Sequence, residues 1–153
     1  MLKHLFILDV DGRNLYHQSF CQGRVIEQDP ALTMNFLSAI VQFARSQEGQ
    51  DVEVVELERD QFVIRRVDDF YLSFQCDLWP DPVFEQTAKS AIDEVLEEFL
   101  KRYQSLPPED RAKFSESSLH GDLFGADFEE CLRNVVARQL RRALLLRARA
   151  GTG

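Results

Sequence analysis

Between Val52 and Cys76 three β-type runs follow one another with only turn residues between them, and this succession restricts the fold more than any other feature of the chain. Val52 to Leu57 is followed by a turn near Arg59 and Asp60, Gln61 to Val67 by Asp68 and Asp69, and Phe70 to Cys76 by the breaker Trp79-Pro80-Asp81-Pro82. Connections this short join antiparallel neighbours, because parallel neighbours need a crossover of a dozen or more residues. On the third run Phe70, Leu72, Phe74 and Cys76 alternate with Tyr71, Ser73 and Gln75, which predicts one face in the core and the other partly wet. Asp60, Asp68 and Asp69 read as turn residues rather than metal ligands.

The opening segment admits two readings. The apolar run Leu5-Phe-Ile-Leu8 meets Asp9-Val-Asp-Gly12 and continues as Asn14 to Phe20. Asp-Gly between two apolar segments is a hairpin signal, since Gly accepts the positive φ of a tight turn and Asp tolerates it. A strand ending in Asp-x-Asp-Gly also resembles the first motif of haloacid dehalogenase-type phosphatases, which would make Asp9 a nucleophile and Asp11 a general acid. That alternative also needs a magnesium-binding acidic pair, which Gly121-Asp122 with Asp127 imitates, although the polar Ser115 to His120 precedes it in place of an apolar strand. Arg13 stands where the phosphatase motif usually has Thr, and an antiparallel meander cannot supply that fold's parallel strands. The hairpin is the main reading and the phosphatase the alternative.

Three helices are expected. Asp29-Pro30 is an N-cap followed by proline at the first helical position. Beyond it Leu32, Phe36, Ile40 and Phe43 recur at helical spacing, widened by Leu37, Val41 and Ala44, which predicts a largely buried helix lying across a sheet and ending at Ser46 to Gln50. Phe84 to Tyr103 is amphipathic, with Phe84, Ala88, Ala91, Ile92, Val95, Phe99 and Tyr103 on its apolar side, and Leu106-Pro107-Pro108 stops it. A polar linker over 106–126 leads to a last helix from about Asp127 or Phe128 to Arg147, with a seam of Leu132, Val135, Val136, Leu140, Ala143 and Leu144; 148–153 is expected to be a flexible tail.

Composition narrows function. The chain has 153 residues, enough for one domain, and its net charge of −8 argues against broad nucleic-acid affinity, which requires a basic surface. Residues 131–153 carry six arginines and no acid, which leaves the first 130 residues at −14. Arg138, Arg141, Arg142 and Arg149 therefore form a candidate patch for an acidic partner or a membrane surface, and a peripheral membrane module is the second alternative. Cys21, Cys76 and Cys131 are odd in number and widely spaced, so neither a disulfide framework nor a zinc site is indicated, and no cofactor is expected. His4, His17 and His120 are isolated in sequence and read as structural, while Trp79 reads as a staple for the second helix or a recognition anchor. Without a long apolar leader or a stretch of about 20 apolar residues, the chain is expected to be soluble and cytoplasmic.

The order strand, strand, helix, three-strand meander, helix, helix resembles the longin-like family: longin domains of SNAREs, small subunits of clathrin-type adaptors, sedlin-like tethering subunits and their prokaryotic relatives. Leu5-Phe-Ile-Leu-Asp-Val-Asp-Gly-Arg-Asn-Leu-Tyr16 looks like that family's first hairpin. The resemblance implies an α+β fold with a five-stranded antiparallel-type sheet and helices packed on its faces, longin/profilin-like, over residues 1–147. It further implies a non-catalytic interaction module associated with a small GTPase, an adaptor or regulator within a trafficking or polarity complex. The partner would be a small GTPase or another longin/roadblock-type subunit, with a homodimer as a further possibility. In the family's usual sheet order the Val52 to Leu57 strand lies at an edge beside the first helix, which makes Val52, Val54, Glu56, Gln42 and Arg45 the candidate partner-binding residues.

Overall fold

A computed structural model describes residues 1–20, 30–78, 81–114, 124, 125 and 127–151. Its elements are β1 (Leu2–Asp9), β2 (Asn14–Ser19), α1 (Pro30–Ser46), β3 (Val54–Glu56), β4 (Asp60–Val67), β5 (Phe70–Asp77), α2 (Pro82–Gln104), α3 (Pro108–Ala112) and α4 (Phe128–Gly151). The readings placed on Cys21, Asp29, Trp79, Pro80, His120, Gly121 and Asp122 lie outside the described residues.

The five strands form one antiparallel sheet in the order β2-β1-β5-β4-β3. The fold is α+β: the meander pairs β3, β4 and β5 in succession, and β5 then receives β1 along its free side. That places the two most apolar strands at the centre. β5 is buried from Phe70 to Cys76 on both faces, which corrects the expectation of a partly wet face. The reason is that helices cover the sheet on both sides. Leu5, Ile7, Phe70, Leu72 and Phe74 meet α2 and α4, while Phe6, Leu8, Phe62, Ile64 and Tyr71 meet Met34, Leu37 and Val41 of α1.

α2 begins where Asp81 Oδ1 accepts from the Val83 amide at 2.9 Å and Pro82 occupies a first-turn position that needs no donor. All seven residues of its expected apolar side are buried. The stretch between α2 and α4 is less of a linker than its polarity suggests: it contains α3, and Phe114 and Phe124 are buried against Phe70, Phe99 and Tyr103. Arg102 then fixes the start of α4. It donates to Asp127 through both terminal nitrogens at 3.1 Å, donates to the Phe124 carbonyl at 2.8 Å, and stands over the Phe128 ring. α4 runs on through Gly151, past the expected end at Arg147. Its buried row is Leu132, Val135, Val136, Gln139 and Ala143, whereas Leu144, expected in the seam, is 53% exposed.

Candidate functional site

At the β1–β2 turn, the carboxylate that would serve as a phosphatase nucleophile is committed to the backbone. Asp9 is 2% exposed; its Oδ1 accepts from the amides of Asp11 (3.0 Å) and Arg13 (2.8 Å), and its Oδ2 accepts from Arg13 Nε at 2.6 Å. Gly12 completes the turn with φ +85°. The turn is then pinned to α1, because Gln42 Nε2 donates to the Asp11 carbonyl at 2.6 Å. Asp9 and Asp11 thus belong to a hairpin turn lying in an antiparallel sheet. Burial raises the Cys76 thiol to about 12, which keeps it protonated near neutrality and unsuited to nucleophilic work. Among the described residues no three His, Cys, Asp or Glu side chains converge as a metal site.

The outer side of α1 is different in kind. A helix on a sheet normally turns its apolar stripe inward and a polar one outward. α1 has two apolar stripes. Met34, Leu37 and Val41 face the sheet, and Leu32, Phe36, Ala39 and Phe43, spaced i, i+4, i+7 and i+11, lie on the opposite side in solvent. Leu32 is 69% and Phe43 67% exposed, so the expectation of a largely buried helix holds for one stripe only. Ile40 is half-buried between the two. The Phe36 ring stands 6.0 Å from Phe62, which is paired with Val55 of β3, so the exposed helix face adjoins the sheet edge.

β3 is that edge. It is shorter than the expected Val52 to Leu57, although the ladder continues at both ends: the Ile64 amide donates to the Glu53 carbonyl and the Leu57 amide to the Asp60 carbonyl, each at 2.8 Å. This alternation directs Glu53, Val55 and Leu57 toward β4 and leaves the backbone groups of Val54 and Glu56 pointing outward. Val54 and Glu56 are exposed, and Val52, half-buried, packs on the α1 side of the core. Gln42 is occupied by the hairpin turn. Arg45 donates to the Tyr71 hydroxyl at 3.3 Å, and that hydroxyl in turn donates to Asp51 at 2.7 Å. The five candidate residues therefore divide into a strand-edge set, Val52, Val54 and Glu56, and a pair that fastens α1, Gln42 to the first hairpin turn and Arg45 to Tyr71 of β5. The exposed α1 stripe was hidden in the sequence because both stripes satisfy the same helical period.

The arginines of α4 divide similarly. Arg138 pairs with Glu94 of α2, and Arg147 pairs with Asp81 at 2.6 Å while lying over the Phe84 ring. Arg141, Arg142 and Arg149 are exposed. Along the N-terminal half of α4, facing α2, is an open groove of about 600 Å³ bordered by Glu94, Glu97, Glu98, Asp127 and Glu130 together with Lys101 and Arg138. No helix among the described residues is long and apolar enough to cross a membrane.

No protein-family model matches the chain, and no curated protein matches it. Among solved structures the chain is similar to Myxococcus xanthus MglB, at 16% identity and a TM-score of 0.44, over 69% of this chain and 85% of that one.

Proposed function

We propose that this chain is a non-catalytic interaction module that engages a protein partner through the outer face of α1 and the adjoining edge of β3. One observation carries the reading: Leu32, Phe36 and Phe43 form an exposed apolar stripe beside a strand whose outward backbone groups at Val54 and Glu56 pair with no strand among the described residues. An apolar stripe in solvent is costly, and next to an open edge it suits a partner that adds a strand or packs a helix there. Following the longin resemblance, the partner is a small GTPase or another longin/roadblock-type subunit, and the chain acts as an adaptor or regulator in a trafficking or polarity complex. Glu53, Glu56 and Glu58 keep the bare edge from indiscriminate pairing, which leaves it open to a partner of matching shape and charge.

The test is capture from native cytosol by the wild-type chain, Phe43→Asp and Val54→Arg, with bound proteins identified by mass spectrometry. Both positions are exposed, so the variants are expected to fold and to lose a small GTPase or longin/roadblock-type subunit that the wild type recovers. Failure to recover any such protein, together with a magnesium-dependent phosphatase activity abolished by Asp9→Asn, would overturn the reading and return Asp9 to catalysis.

A further inference from the structure

The outward side of α4 has a chemistry that its docking on α2 does not use. Arg138, Arg141, Arg142, Leu145 and Arg149 recur at i, i+3, i+4, i+7 and i+11, all exposed, on the side of the helix away from Leu132, Val136 and Ala143. Arg138 is paired with Glu94, and Arg147, on the inner side, with Asp81. Arg141 and Arg142 make no ion pair among the described residues, and no acid occurs anywhere in 131–153 to neutralise them. Leu144, Leu145 and Leu146 are 53%, 64% and 44% exposed within the same two turns.

Two physical arguments select the occupant. Successive helix residues point about 100° apart, so three consecutive exposed leucines spread apolar surface around roughly 200° of the helix circumference. A helix rich in arginine beside exposed leucines suits the plane of a bilayer interface, where apolar side chains enter the headgroup boundary and cations meet anionic lipids. The arginines fit the same boundary, because their long apolar stems reach past leucine-level burial and leave the guanidinium among phosphates. The rest of the molecule is strongly acidic, so an anionic surface repels the body and attracts this helix, which sets the orientation of approach. We propose that the outer face of α4 is a peripheral attachment site for an anionic lipid surface, with Arg141 and Arg142 among the headgroups and Leu145 entering the interface. This site is separate from the α1 and β3 face.

The experiment is flotation of the full chain with phosphatidylcholine vesicles, with and without phosphatidylserine, at low and high salt. Binding is expected only with phosphatidylserine, and high salt is expected to release it. The double variant Arg141→Gln/Arg142→Gln should weaken partitioning by roughly thirty-fold, since each arginine near an anionic surface contributes comparably. Leu145→Asp should weaken it as well with an unchanged melting temperature, and Phe43→Asp, which disables the α1 face, should float as the wild type does. Absence of binding to phosphatidylserine vesicles at low salt would overturn the proposal. So would binding that both α4 variants leave intact, or a wild-type dimer that those variants dissociate, which would assign the face to a second copy of the chain.

Discussion

Gly12 shows how closely the first hairpin is built onto α1. A Cβ at this position would lie 2.0 Å from Ser38 Oγ and 2.6 Å from Gln42 Nε2, and the backbone already has φ +85°. Ser38 must rotate away, and Gln42 cannot withdraw without disturbing the turn, since it holds the Asp11 carbonyl. Gly12→Ala is therefore expected to cost about 3 kcal/mol, combining left-handed strain with overpacking, as a lower urea midpoint would show. A second residue-scale feature is the cross-strand pair His4 and His17, whose Nδ1 and Nε2 are 3.1 Å apart with the His17 ring stacked on Phe6. Burial, then the nearby His17, brings His4 down to about 4 from its ordinary 6.5, and burial lowers His17 as well. The folded chain consequently binds fewer protons here than the unfolded chain does. The stabilising contribution of the neutral pair is present above the unfolded value and is lost as pH falls from 6.5 toward about 4. Urea midpoints measured across that range should fall less steeply in His4→Gln/His17→Gln than in the wild type.

Among the elements, α4 and α1 show opposite uses of a helix. α4 is held by a packed row and by clasps at its two ends, Arg102 to Asp127 and Arg147 to Asp81. Gln18 of β2 adds a bond from its amide to the Glu129 carbonyl at 2.8 Å. Leu132, fully buried near the start of that row, belongs to the core cluster between sheet and helices, and Leu132→Ala should destabilise the chain by about 2–5 kcal/mol, measured by thermal or urea unfolding. The same truncation at the exposed Leu145 should change stability little, within about 0.5 kcal/mol. α1, by contrast, spends only Met34, Leu37 and Val41 on the sheet and leaves two phenylalanines and a leucine outside. Periodicity alone could not separate its two stripes, because both repeat at helical spacing and a helix apolar on all sides reads as buried. α2 was fully legible for the converse reason: its glutamates and lysines mark the wet side, leaving one way to place Phe84 through Tyr103.

At the scale of the whole molecule, local chemistry determined a great deal. The short turns after Leu57 and Val67 dictated an antiparallel meander, Asp9 to Gly12 dictated a hairpin, and proline at 30 marked a helix start. These are properties of a few neighbouring residues, so they can be read without knowing what lies across the chain, although Pro82 read only as a breaker and Pro108 only as a stop, and the structure places each in the first turn of a helix. The edge position of β3 was available to the sequence only through resemblance, since strand order depends on which strand fills the free side of β5. Other features were decided by tertiary packing. Tyr71, Ser73 and Gln75 look like the wet face of a strand, yet all three are buried, Tyr71 against the inner stripe of α1. Phe114 and Phe124, inside a stretch that reads as polar linker, are drawn into the aromatic cluster around Phe99. The pairing of Arg138 and Arg147 likewise depended on where Glu94 and Asp81 of the second helix region came to lie. Sequence by itself determined the elements and their antiparallel order, because turns and caps act over a few residues. Only the tertiary structure decided which apolar stripe of α1 meets water, because that depends on which surfaces the sheet and its other helices have already covered.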